Sequence, residues 1–372
     1  MSQREAIYLK DYTKPAFNIE SVHLTFNLYE EYALVTNVMK INRVQEGREE
    51  LTLHSTNLEL LELWINDLQV DNSRYVVEEE SLRVLNLPAS FELKIINKIY
   101  PQNNTELEGL YKSGTIFCTQ NEPEGFRSIT PYLDRPDVMS VFTTTVIADK
   151  EKYPVLLSNG NKMQTEELVD RHSVTWLDPH PKPSYLFALV AGDLGSISDE
   201  YITASGEKIE LNIYCDLGNE SKCYHAMKSL KEAMAWDEEM YGREYDLEIY
   251  NIVAVDSFNM GAMENKGLNI FNSAYVLADE ESATDANYMG IQSVIAHEYF
   301  HNWTGNRITC RDWFQLTLKE GLTVFRDQSF SADLNSKDVQ RIEDVKSLRE
   351  RQFVEDASPT AHPIQPKSYI SR

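Results

Sequence analysis

Between residue 21 and about residue 179, apolar and polar side chains alternate in short runs separated by polar turn clusters. Val22, Leu24, Phe26 and Leu28 form one such run; Val35, Met39 and Ile41, with Asn37 among them, form another. A period of two puts these side chains on one face of a strand, so the segment predicts a β-rich domain of antiparallel type. The stretch Asp178-Pro179-His180-Pro181-Lys182-Pro183 then leads through an apolar run to Gly192-Asp193. Such punctuation marks a boundary near residue 192, giving a β domain over 1–192 and a second domain over 193–372.

Beyond 192 the period changes. Ile209, Leu211 and Ile213 read as a strand, and from Asn219-Glu220 a helical pattern runs through Met227, Leu230, Met234 and Met240 to Gly242. Residues 247–255 and 267–277 read as two more strands. Thr284 or Asp285 can cap a helix carrying Tyr288, Ile291, Val294 and Ile295 to His301, with Gly305 to end it. Asp312 and Thr317 offer starts for another, whose apolar stripe is Leu318, Leu322, Phe325 and Phe330. Ser336 can cap a last helix bearing Val339, Ile342, Val345, Leu348 and Phe353, ending before Pro359. Helices gathered after strands predict an α+β multidomain chain.

With 372 residues there is chain enough for two cores, and 42% apolar content is ordinary for a globular protein. Residues 1–15 carry charges throughout and no apolar signal core, and the longest apolar run, 185–192, is too short to span a bilayer. Cys118, Cys215, Cys223 and Cys310 lack the spacing of a disulfide scaffold or of a CxxC metal site, and read as reduced core residues of a cytoplasmic protein. A net charge of −24 argues against nucleic acid and suits a cationic ligand, such as a peptide with a free N-terminal ammonium. No membrane partner is expected, and a monomer is the default.

The chemistry lies in His297-Glu298-Tyr299-Phe300-His301, followed after eighteen residues by Glu320. His297 and His301, four apart on a helix, project from one face and can bind one ion. Glu298 sits about 100° round the helix, beside the metal. Glu320, on the next helix, can supply a third ligand and leave the fourth tetrahedral position to water, the donor set of a catalytic zinc. Asp327, seven residues beyond Glu320, can reach the ligand face and orient a histidine, or else face solvent paired with Arg326.

Between two strand patterns lies Gly261-Ala262-Met263-Glu264-Asn265, which alone reads as a turn with a solvated acid. Together with the histidine motif and its spacing to Glu320, it resembles the aminopeptidase N family of zinc metallopeptidases, in particular the bacterial alanyl-aminopeptidase branch. Asn302-Trp303-Thr304-Gly305-Asn306, Phe271-Asn272 and Asp134-Arg135-Pro136-Asp137 are similar to that branch as well, so the resemblance covers essentially the whole chain.

The resemblance implies a saddle-like β domain followed by a thermolysin-like (gluzincin) catalytic domain, one zinc ion per chain, and removal of N-terminal residues from peptides. Glu264 would bind the substrate α-amino group, with Gly261, Ala262, Met263 and Asn265 beside it. A carboxylate fixed next to the metal selects cleavage after the first residue. Residues 119–127 resemble the loop that enters the family's site, which implies that Gln120 and Glu122 help hold the amine and first side chain; Glu124 is the competing acid. Met260 would line an apolar pocket for that side chain. Glu298 would take a proton from the attacking water and pass it to the leaving amine. Broad specificity is implied, with Ala, basic and other unbranched first residues accepted.

The family's oxyanion-stabilising tyrosine lies farther along than Arg372, and Tyr369 does not match its surroundings. The expectation is therefore an N-terminal fragment that binds zinc but turns over slowly, since losing an oxyanion donor typically costs about 10²–10³ in kcat. Three other readings stand beside it. Ala262 argues against a leukotriene-type zinc epoxide hydrolase, the Gly261–Asn265 segment against a thermolysin-like endopeptidase, and Glu298 against a non-catalytic peptide-binding module.

Overall fold

The computed structural model describes residues 6–370. The two alternating runs of the first half become the strands Phe17–Leu28 and Ala33–Arg43, paired antiparallel within an eight-stranded sheet. Val22, Leu24, Phe26, Leu28, Val35, Met39 and Ile41 are all buried. Asn37 is buried with them and donates to Thr130 Oγ1 at 3.4 Å, which offsets part of its desolvation. One pairing departs from the antiparallel expectation: Ser140–Asp149 runs parallel to Phe17–Leu28. A parallel neighbour needs a long crossover, supplied here by the intervening residues, and alternation within a strand carries no information about the direction of its neighbour.

A smaller sheet runs in the order Gly109–Ser113, Ile116–Gln120, Leu189–Gly192 and Val155–Ser158. Every residue of Ile116–Gln120 and of Leu189–Gly192 is buried, so both read as unbroken apolar or neutral runs. The apolar run at 185–192 is thus core, and among the described residues no helix is long and apolar enough to cross a membrane.

The second half is built on a five-stranded sheet ordered Leu194–Ile202, Lys208–Asp216, Ile249–Val255, Leu268–Asn272 and Ala262–Met263. The strand expected over 267–277 is shorter: the Asn272 side chain accepts from the Ala274 amide at 3.0 Å and turns the chain into a 3-10 turn, Ser273–Tyr275. Helices α1 (Tyr224–Tyr241) and α2 (Asp285–Phe300) cover this sheet. A short 3-10 turn, Glu220–Lys222, precedes α1, so the helix proper begins after Asn219-Glu220, and Gly242 ends it in the left-handed conformation at φ 62°. Thr284 caps α2 in a reciprocal box with Asn287, accepting from its amide at 3.3 Å while Asn287 Oδ1 accepts from the Thr284 amide at 2.9 Å.

Helix α3 (Leu316–Leu334) contradicts the expected stripe. Phe330 is buried against Trp236 and Phe300, with ring centroids 5.8 and 5.7 Å away. Leu318 and Phe325, however, are each 60% exposed, and Leu322 is half-exposed. The inward face is mostly polar: Lys319, Thr323, Arg326 and Asp327. It can be polar because α2 ends against it. Arg326 Nη1 donates to the Phe300 carbonyl at 2.9 Å, and Thr323 Oγ1 donates at 3.1 Å to the Thr304 carbonyl in the turn that follows, so polar side chains find partners at the helix end. Ser336 caps α4 (Lys337–Glu350), and α5 (Gln352–Asp356) follows; neither helix has a buried residue.

Candidate active site

Helix α2 brings His297 and His301 to its C-terminal end, where their Nε2 atoms face each other at 3.0 Å. From α3, Glu320 Oε2 approaches them at 3.4 and 3.5 Å. A tetrahedral ion with bonds of about 2.0–2.1 Å separates its donors by about 3.3 Å, so these three atoms fit around one ion with a fourth position open. The remote ring nitrogens are held from behind. His297 Nδ1 lies 2.6 Å from Asp327 Oδ2, and His301 Nδ1 lies 2.9 Å from the Thr304 carbonyl oxygen. Such bonds fix the tautomer and point Nε2 toward the candidate metal position.

Close packing explains the glycine at 305, which has φ +142°. A Cβ there would come within 2.8 Å of His301 Nδ1 and 3.0 Å of Lys319 Cγ.

The electrostatics favour a cation. Glu122, Glu264, Glu298, Glu320 and Asp327 line one cleft of about 850 Å³. Burial works against a charged His297 imidazole, yet hydrogen bonds to Asp327 and Glu320, with Glu298 nearby, carry it up to about 11. Burial pushes the Glu298 carboxyl up to about 8, with Glu264 and Glu320 adding to the effect and His297 opposing it. A dry carboxylate of raised affinity for protons is suited to proton transfer.

The edge strand Ala262–Met263 carries Glu264 to the same place, and ligand atoms of Glu264, Glu298 and His301 lie within 4.8 Å of one another. Glu264 is buried and bonded through Oε1 to Lys319 Nζ. Lys319 also reaches Glu122 Oε1 at 2.8 Å and Glu320 Oε1 at 2.7 Å. Burial raises Glu264, but Lys319 and His301 outweigh it and keep the carboxyl below its ordinary value. Glu122 goes the other way, to about 7, because burial and the neighbouring Glu264 and Glu320 exceed the pull of Lys319.

Of the other residues singled out by sequence, Met260, Gly261 and Ala262 line the cleft, as does Glu124. Gln120, Met263 and Asn265 are buried and do not line it; Gln120 Nε2 sits 3.7 Å from Met263 Sδ. Sequence reasoning passed over Lys319, although a lysine directly before the candidate ligand Glu320 was a signal. It also passed over Tyr185, whose hydroxyl donates to the Gly305 carbonyl at 3.1 Å.

Two family models match this chain, the Peptidase M1 N-terminal domain over residues 14–186 and the Peptidase family M1 domain over residues 225–371. The chain belongs to peptidase family M1. Its M1 relatives include Aminopeptidase N of Escherichia coli, 57% identical over 369 residues, and Aminopeptidase N of Haemophilus influenzae, 53% identical over 368 residues. These alignments cover 99% and 98% of this chain and 42% of each relative. The crystal structure of Legionella pneumophila aminopeptidase A in complex with aspartic acid superposes with a TM-score of 0.92 at 36% identity, over 99% of this chain and 42% of that one. The M1 chain described here thus spans about 42% of the length of these relatives.

Proposed function

We propose that this chain carries the metal and amine-binding centre of a zinc aminopeptidase that removes the first residue from peptides with a free N-terminus. The observation that carries the proposal is the meeting of Glu264 with His301 and the base Glu298 within 4.8 Å, beside the His297, His301 and Glu320 donor set. In this reading those three residues hold one zinc ion, which when bound supplies a Lewis acid and an acidified water at neutral pH.

The chain's own groups do the rest. Glu298 accepts a proton from the attacking water through its carboxylate and donates it to the departing amine nitrogen. Glu264 accepts a charge-assisted hydrogen bond from the substrate α-ammonium, and Glu122 helps hold the amine and first side chain beside it. The ammonium enters a place where Lys319 already balances part of the acidic charge, so it sees attraction without an excess of unpaired buried carboxylate. Met260, half-exposed at the wall, supplies an adaptable apolar surface for the first side chain, in keeping with broad specificity for Ala, basic and other unbranched residues. Gln120 acts from beneath, holding the Gly261–Asn265 segment through its contact with Met263 Sδ, and Met263 and Asn265 are buried parts of that segment. We further read a domain division near residue 192 and a monomeric, cytoplasmic protein, in keeping with four free, buried cysteines.

The test is to incubate the zinc-loaded chain with one peptide in free and N-acetylated forms and to read the products by mass spectrometry. Release of single N-terminal residues from the free peptide alone supports the proposal. Internal cuts, or equal release from both forms, overturn it.

A further inference from the structure

A second buried polar cluster lies behind the cleft, outside the residues that would touch metal or substrate. Its centre is Asp246, in the loop between α1 and the strand Ile249–Val255. Asp246 Oδ1 accepts from Lys266 Nζ and from Asn302 Nδ2, the latter at 3.2 Å, while Oδ2 accepts from Arg307. Lys266 Nζ also donates to Asn302 Oδ1 at 2.6 Å, closing a triangle whose lysine and asparagine are both buried. His180 adds its Nε2 at 3.1 Å from the Asp246 carbonyl oxygen.

The members of this cluster have a specific relation to the site. Lys266 stands two residues after Glu264, and Asn302 directly follows His301. The Asp246 carboxylate therefore ties together the chain segments that carry the amine-binding glutamate and the metal helix. Two further bonds hold the first segment: Asn306 Nδ2 donates to the Glu264 carbonyl at 2.7 Å, and Asn159 Nδ2 donates to the Lys266 carbonyl at 2.8 Å. The edge strand Ala262–Met263 is only two residues long, with two paired positions against its neighbour. So short a ladder cannot by itself fix where Glu264 points, and the bonds at 264 and 266 supply what it lacks.

We propose that Lys266, Asp246, Asn302 and Asn306 are positioning residues that set the distance and orientation of the Glu264 carboxylate relative to the metal helix. The inference rests on the reading of Glu264 as the anchor for the substrate amine. A carboxylate tethered in this way binds an ammonium only where the metal-bound end of the ligand permits it. Loosening the tether lowers affinity for amine-bearing ligands and leaves simple metal chelation alone.

The experiment is calorimetric titration of the zinc-loaded chain with alanine hydroxamate and with propionohydroxamate, which lacks only the α-amine. The parent is expected to prefer the amine-bearing ligand. In Lys266→Met and in Asn306→Ala that preference is expected to fall about tenfold, with propionohydroxamate affinity and zinc stoichiometry unchanged. Asn306→Ala strands no buried charge, and it decides the question if Lys266→Met does not fold. An undiminished preference in the folded variants, or equal weakening of both ligands, would overturn the positioning role. Absence of any preference in the parent would instead remove the reading of Glu264, and this inference with it.

Discussion

Helices α2 and α4 start alike, each from a hydroxyl cap, and each carries apolar residues at helical spacing. Their fates are opposite. In α2, Ile291, Ile295, Ala296, Tyr299 and Phe300 are buried, and the helix delivers two imidazoles to fixed positions. In α4 no residue is buried, and Ile342 remains 64% exposed. Helix α3 contains both behaviours, with buried polar groups toward α2 and exposed leucines and phenylalanine on the other side. Periodicity identifies a face that can be buried; only the tertiary neighbours decide whether it is. The site sits where the inward faces of α2 and α3 meet and are packed, which is what holding ligand atoms within a few tenths of an ångström requires.

The largest effects should come from breaking the packed half. Phe330→Ala removes a ring enclosed by Trp236 and Phe300 and is expected to cost about 3–5 kcal/mol in denaturant unfolding. Arg326→Leu leaves the Asp237 carboxylate buried without its guanidinium and should cost a similar amount, about 3–5 kcal/mol. A loss below about 1 kcal/mol for either would mean that this half is less tightly packed than described.

A smaller effect tests a half-buried polar group of the first half of the chain. The His54 ring accepts from the Asp134 amide at 3.2 Å, and burial, with Arg127 nearby, lowers its pKa from 6.5 to about 4. The unfolded chain therefore takes up a proton at higher pH than the folded one. The stability His54 contributes is complete above about pH 6.5 and is lost as pH falls toward about 4. Because the ring is partly accessible to solvent, the loss should be about 2 kcal/mol. Unfolding of the parent and of His54→Gln between pH 7 and 4 measures it as the difference in slope; identical slopes would refute it.

The smallest effects belong to the open half. Phe353→Ala should change stability by less than about 0.5 kcal/mol, in contrast with Phe330→Ala. By hydrogen exchange, amides of α4 should open with a free energy well below those of α2, because α4 is anchored by so little buried surface. Equal protection of the two helices would dissolve the comparison.

What could be read from the sequence follows the same division. The alternation at Val22–Leu28 reached a buried strand because a sheet face has few alternatives. His297, His301 and Glu320 meet because their spacings are those of two helix faces. Asp327 meets His297 because seven residues is about two turns. The parallel pairing of Ser140–Asp149 with Phe17–Leu28 was out of reach, since direction is not encoded in alternation. So was the inward polar face of α3: its stripe of Leu318, Leu322 and Phe325 looks like a core stripe until the polar end of α2 is placed opposite. Lys319 and the Asp246 cluster depend on residues far apart in the chain, and no local pattern joins 246 to 266, 302 and 307.

The central claim is a mononuclear metal centre built from α2 and α3, and metal stoichiometry tests it most directly. After equilibration with zinc and removal of the excess, elemental analysis should find one zinc per chain in the parent and in Glu298→Gln, and almost none in His301→Ala. Zinc retained by His301→Ala, or absent from the parent, would contradict the account.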